Sequence, residues 1–163
     1  MIPNFAALIA IFVLANRTGL IDTHIGLILV YVGGQIPMST WLMKGYLDTI
    51  PKELDESAKM DGAGHLRIFF QIVMPLAKPI ISVVALFSFI APLGDFILAR
   101  ILLRSEDKFT LAVGLYELVA KQFGNEFTKF AAGAVLIAIP IAILFLMFQK
   151  YFVSGLTAGG TKG

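Results

Sequence analysis

The chain contains no cysteine, so neither a disulfide framework nor a thiolate metal site can be built from it. Charge is almost as scarce. Only 15% of the residues are Asp, Glu, Lys or Arg, against about a quarter in soluble globular domains. The formal charge of +2 is too small, and basic runs interleaved with aromatics too lacking, for nucleic acid to be a partner. There are two histidines, His24 and His65. Each reads as a solvated loop residue, because no spaced Ser or Asp accompanies it. No catalytic residue, no metal and no cofactor is therefore expected. A phosphate-binding loop is missing too: Gly62-Ala63-Gly64-His65 has neither the Walker lysine nor a preceding strand. The start carries no basic segment and no small-residue cleavage site, so it is not a signal peptide. An apolar run that opens at Met1 reads as the beginning of a fragment of a longer chain. No repeat and no low-complexity tract divides residues 1–163, which are expected to form one transmembrane domain, incomplete at its N-terminal side.

What the sequence has in excess is apolar surface. Of its 163 residues 58% are hydrophobic, and the mean hydropathy is +0.85. One water-soluble core of this size could not hide that much, and a membrane is the simpler solvent. Four candidate spans follow, roughly 1–16, 25–43, 79–98 and 130–150, which makes the fold all-α and polytopic. The first is slightly short for a hydrocarbon core of about 30 Å. The second contains Gly33-Gly34-Gln35 and Pro37, then Ser39-Thr40-Trp41. Its small residues let helix backbones approach closely. Gln35, Ser39 and Thr40 read either as lining of a translocation pathway or as polar glue between helices. Trp41, Lys44 and Tyr46 stand where an interfacial belt would lie.

The third span is interrupted by Asp95. A carboxylate at bilayer centre costs about 2.5–3.5 kcal/mol, so Asp95 is expected near an interface, close to Arg100 or Arg104. Residues 100–129 are mixed in charge. Within them 110–122 has an amphipathic look, too short to span, and fits a surface helix or a docking loop. Phe130–Gln149, uncharged and bracketed by Lys129 and Lys150, is the clearest span, with Pro140 predicting a kink. The tail 153–163 is polar and glycine-rich. Of the basic residues, seven fall on one side of these spans and six on the other, which leaves orientation undecided.

Between the second and third spans lies a polar stretch from Pro51 to Pro79, with Glu53, Asp55, Glu56 and Asp61. Pro51 suits the first turn of a helix, and the acidic residues then lie near its positive end. Gly62-Ala63-Gly64 ends that helix, with one glycine left-handed. His65–Met74 follows as a second segment with Leu66, Phe69, Phe70 and Val73 at helical spacing. Pro75 and Pro79 break or kink the chain before the third span.

The spacing here is Glu56-Ser57-Ala58, three residues, Gly62, nine residues, Ile72, one residue, Met74-Pro75. It resembles the EAA loop of binding-protein-dependent ABC importer permeases, E-A-A-x3-G-x9-I-x-L-P. Ser57 stands for an alanine and Met74 for a leucine. The ending from Gln149 to Gly163 is similar to that of sugar permeases of the maltose/maltodextrin MalG type.

The resemblance implies a MetI-like permease fold, loop 51–75 being a cytoplasmic coupling helix. It also implies a multi-pass place in the bacterial inner membrane, amid membrane lipid. A second permease subunit would share the pathway, and a cytoplasmic ATPase dimer would bind Glu56, Ser57, Ala58, Asp61, Gly62, Ile72 and Pro75. A periplasmic or extracellular sugar-binding protein would deliver an oligosaccharide. The chain itself would perform no chemistry, ATP hydrolysis belonging to the partner. The alternatives are a secondary transporter, which needs polar ion sites at mid-span, and another membrane protein without ATPase coupling.

Overall fold

The computed structural model describes residues 4–120 and 127–159. Among them every regular element is helical. In order they are α1 (Asn4–Arg17), α2 (His24–Leu47), α3 (Lys52–Met60) and α4 (His65–Ile68). A π-helical turn (Phe69–Val73) and α5 (Met74–Leu76) follow, then α6 (Lys78–Gly94) and α7 (Ile97–Leu102). A 3-10 turn at Glu106–Lys108, α8 (Leu111–Ala120) and α9 (Phe127–Gly159) complete the chain. The all-α expectation holds.

The span count differs. Among the described residues two helices are long and apolar enough to cross a membrane alone, α2 and the Phe127–Gln149 part of α9. A third crossing exists if His65–Leu76 and Lys78–Gly94, bent by 72°, count as one broken span. Helix α1 has 14 residues, or about 21 Å of helix. The predicted span 79–98 breaks after Gly94, because Asp95 takes backbone N–H groups of the next helix instead of continuing α6. At its other end α9 continues through Pro140 to Gly159, so residues 153–159 of the expected polar tail are helical.

Two compact units form, one from residues 1–35 and 89–143, the other from 36–88 and 144–163. In the first, Ala15, Leu27, Ala99, Leu102, Leu103 and Val113 make a buried cluster. Small residues at Ala15 and Ala99 let α1 and α7 approach, and Ile11, Leu20, Ile21 and Phe96 close around them. Helix α8 turns Val113 and Leu115 inward. The rest of Leu111–Ala120 is exposed or half-buried.

The turn from α1 to α2 shows how local chemistry sets these helices. Gly19, at φ +71°, ends α1, with Leu20 N–H reaching back to the Ala15 carbonyl and Gly19 N–H to that of Asn16. This is a left-handed glycine cap of the Schellman kind. Thr23 then caps α2, its Oγ1 accepting from Gly26 N–H at 3.0 Å. Among the described residues of the second unit, Ala58, Ile68, Ala77, Ile80, Ser82 and Leu86 are buried. Ser82 satisfies itself by donating to the Lys78 carbonyl at 2.8 Å.

Candidate coupling loop and membrane polar residues

Helix α3 begins one residue later than expected. Pro51 is its N-cap, at φ −59° and ψ 131°, and Lys52 is the first helical residue. A proline ring suits either position, having no N–H to leave unpaired. Glu53 and Asp55 fall in the first turn, favourable to the helix dipole. Asp55 pairs with Lys59 one turn on, an exposed contact of small energetic weight.

The loop closes in a definite motif. Ala63 N–H donates to the Ala58 carbonyl and Gly62 N–H to the Lys59 carbonyl, each at 3.0 Å. Gly62 itself has φ +76°. Only a residue without Cβ adopts that conformation at no steric cost. The glycine of the E-A-A-x3-G spacing thus closes α3, and Gly64 is the N-cap of α4.

The sequence-predicted loop residues are placed as follows. Glu56, Ser57, Asp61, Gly62 and Pro75 are exposed and Ile72 is half-buried. Ala58 differs: it is 8% exposed, so its methyl packs inside the second unit. Around the turn, large apolar side chains stand in the open, Met60 90% and Leu66 75% exposed, with Phe70 beside them. Of the expected apolar face, Leu66, Phe69 and Phe70 face outward, and the inward residue is Ile68. A π-helical turn occupies Phe69–Val73.

In α2, Gln35 and Ser39 are half-buried and Thr40 exposed. The first two lie four residues apart and share a face; Thr40 does not. Gly33 and Gly34 have no other part of the chain within 4 Å of where a Cβ would stand. They border an apolar cavity of about 590 Å³ between α1 and α2, with Leu8, Ile11 and Val30.

Sequence reasoning missed two polar anchors. The first is Asp95, which pairs with neither Arg100 nor Arg104. Its Oδ2 accepts from the Tyr31 hydroxyl at 2.8 Å and from Ala99 N–H at 3.0 Å. Arg100 instead meets Glu117 at 3.3 Å and the Phe109 ring, while Arg104 lies over Phe12. An acid immediately after Gly94 and before Phe96 is the sequence signal for a helix start that could have found the cap. The second is Asp22, in the turn before α2. It takes backbone N–H groups of Arg104 and Ser105 at 2.8 and 2.9 Å, the Ser105 hydroxyl, and Lys108 Nζ at 2.9 Å. The Ser105 hydroxyl first, then these backbone donors and Lys108, hold its carboxyl well below the usual range. His24, expected to be only solvated, donates from Nε2 to the Lys108 carbonyl at 3.0 Å.

The comparisons with known proteins agree on one family. Residues 1–158 match the profile of the binding-protein-dependent transport system inner membrane component. The chain belongs to that family. It is 61% identical over all of its length to the galactooligosaccharides transport system permease protein GanQ of Bacillus subtilis, covering 58% of that protein. It is 55% identical to the maltodextrin transport system permease protein MdxG of the same organism, covering 59%. Among solved structures, a bacterial ABC transporter that imports the acidic polysaccharide alginate aligns with a TM-score of 0.68 and 29% identity. That alignment covers 88% of this chain and 55% of the other. The chain therefore spans a little over half the length of the relatives it matches. The expected likeness to maltodextrin permeases and the permease fold are both met. With the family comes an integral membrane place as a transport component, not an enzyme.

Proposed function

We propose that this chain is part of a permease subunit of an ATP-driven importer of oligosaccharides, supplying half of the translocation pathway. Residues 1–163 form its transmembrane domain, crossing the bacterial inner membrane several times. Loop 51–75 faces the cytoplasm and couples to an ATPase dimer. A second permease subunit completes the pathway, and a sugar-binding protein delivers the solute from outside. Galactooligosaccharides and maltodextrins are the solute classes that the relatives' names support.

The observation that carries this reading is the surface around Gly62. There the C-terminal end of α3 with Lys59 and Asp61, a left-handed glycine and the open side chains of Met60 and Leu66 follow one another. Exposed apolar groups of this size beside charge mark an interaction surface. Glu56, Ser57, Asp61 and Gly62 make the contact on this reading. Ala58 holds the helix from within, and Ile72 and Pro75 shape the segment that follows. Gln35, Ser39 and Thr40 line the pathway.

The test is uptake of labelled maltodextrin and galactooligosaccharide by cells expressing the full transporter. Vanadate should abolish uptake and an uncoupler acting on the proton gradient should not do so directly. The reverse pattern would make the protein a secondary transporter. Cysteines placed at Lys59 and Glu106 should react with an impermeant thiol reagent from opposite sides of the membrane. Lys121, in the stretch 110–122 expected to be a surface helix or a docking loop, lies outside the described residues.

A further inference from the structure

The hydrogen-bond register changes between α4 and α6. Met74 N–H donates to the Phe69 carbonyl, five residues back. Ala77 N–H returns to Val73, four residues back, at 2.8 Å. Between them stands Pro75, which has no N–H to give and whose ring would press on the carbonyl of Gln71 in an ordinary α-helix. A single widened turn relieves that clash, and π-helical turns inside helices are typically such one-residue insertions.

Packing does not explain the extra residue. All five members of the turn are exposed or half-buried. The ends of the turn, by contrast, are held. Ile68 before it and Ala77 after it are almost fully buried. Tyr46 donates its hydroxyl to the Leu76 carbonyl at 3.2 Å, whereas the bond from Arg67 Nε–H to Gln71 Oε1 at 2.9 Å is local and exposed. The turn thus lies between two fixed points, just ahead of the 72° bend into α6.

We propose that this π-helical turn sets the angular phase of α3 and α4 relative to α6, and that Pro75 is the positioning residue that keeps it wide. The inference rests on the coupling reading of the loop and says how that loop is aimed. One residue of α-helix corresponds to about 100° of rotation and 1.5 Å of rise. Removing the extra residue would swing Met60 and the exposed acids of α3 away from the direction they face now. The sequence spacing then has a physical sense: Ile72 lies inside the turn, and the proline three residues later enforces it.

The experiment compares deletion of Gln71 with Gln71→Ala, each in the full-length subunit assembled with its permease partner, ATPases and binding protein. Deletion changes the length of the turn; the substitution removes only the side chain. Spin labels on cysteines at Lys59 and Ala85, in an otherwise cysteine-free complex, report the phase directly. The deletion should shift that distance and lower stimulation of ATPase activity by loaded binding protein about tenfold, within the usual range of coupling between sites. Gln71→Ala should keep both at parental values. An unchanged distance in the deletion variant, or parental stimulation despite a shifted one, would overturn the proposal. So would a Gln71→Ala variant as defective as the deletion. Failure of the coupling reading itself looks different, since Gly62→Leu would then leave stimulation intact.

Discussion

Asp22 accepts the backbone N–H of Arg104 at 2.8 Å, although 82 positions separate the two residues. The same carboxylate holds Ser105 and Lys108, and Asp22 N–H in return donates to the Leu102 carbonyl at 2.8 Å. Asp22 takes a left-handed conformation, φ +58°, the one such residue besides glycine among those described. Asp tolerates that region better than most residues. One turn outside the long helices thus pins the segment that follows α7.

This anchor gives stability a pH dependence whose sign can be worked out. The folded-state carboxyl lies below its ordinary value, held down chiefly by the Ser105 hydroxyl. The unfolded chain, with a value of about 4, binds the proton first as pH falls. The contribution is therefore present above about pH 4 and lost below it. Melting of the purified permease should be nearly flat from about pH 7 to 5 and fall below about 4. Asp22→Asn should lower the melting temperature at neutral pH and flatten that acid limb. An acid limb as steep in the variant as in the parent would assign it elsewhere.

Asp95, in the break between α6 and α7, anchors differently. Asp95→Ala orphans the Tyr31 hydroxyl and removes the acceptor for Ala99 N–H. A loss of about 1–3 kcal/mol is expected for buried donors left without partners. Tyr31→Phe leaves the backbone bond in place and should cost about 1 kcal/mol. The double variant should be less than additive in a denaturant or detergent unfolding series. Strict additivity would mean the two side chains act independently.

The fold class was legible because its cause is composition: a chain 58% apolar with spans near 20 residues has few alternatives. The loop was legible because glycine and proline act locally, and Gly62 does what a glycine after an acidic helix is expected to do. Asp22 and Asp95 were not legible. Their partners, Ser105 and Tyr31, are far away in sequence, and only the fold brings them together. The burial of Ala58 was not legible for a related reason: a small methyl carries no sign of which face it will bury. The widened turn at Phe69–Val73 was not legible, because an apolar period of 3.6 carries no sign of one extra residue beside a proline.

Two glycines should respond oppositely to alanine. A Cβ at Gly26 would overlap the Leu20 carbonyl oxygen and press on Thr23 Oγ1 at 3.1 Å. Backbone cannot step aside cheaply, so Gly26→Ala should lose about 3 kcal/mol or more, at the upper end of overpacking costs. At Gly133 the Cβ would meet only the Leu115 side-chain end. That side chain can rotate, and alanine gains about 1 kcal/mol of helix propensity over glycine. Gly133→Ala should stay close to parental stability. Equal losses at both sites would show that Leu115 is as rigid as the backbone.

Gly62 separates strain from contact. Its φ of +76° makes any L-residue other than glycine costly, by about 1–2 kcal/mol. Within the chain that cost does not grow with the size of a side chain that is unbranched at Cβ, because nothing lies within 4 Å of where the Cβ would stand. Gly62→Ala and Gly62→Leu should therefore weaken the turn equally, read as faster hydrogen exchange at Gly62 and Ala63 N–H. If the loop docks in a cleft of the ATPase, the two must then diverge in the assembled transporter. Stimulation by sugar-loaded binding protein should fall in Gly62→Ala and disappear in Gly62→Leu, at normal abundance in the membrane. Equal partial losses would leave strain as the whole effect and remove the case for a tight contact at this residue. Parental stimulation in Gly62→Leu would end the coupling assignment of the loop.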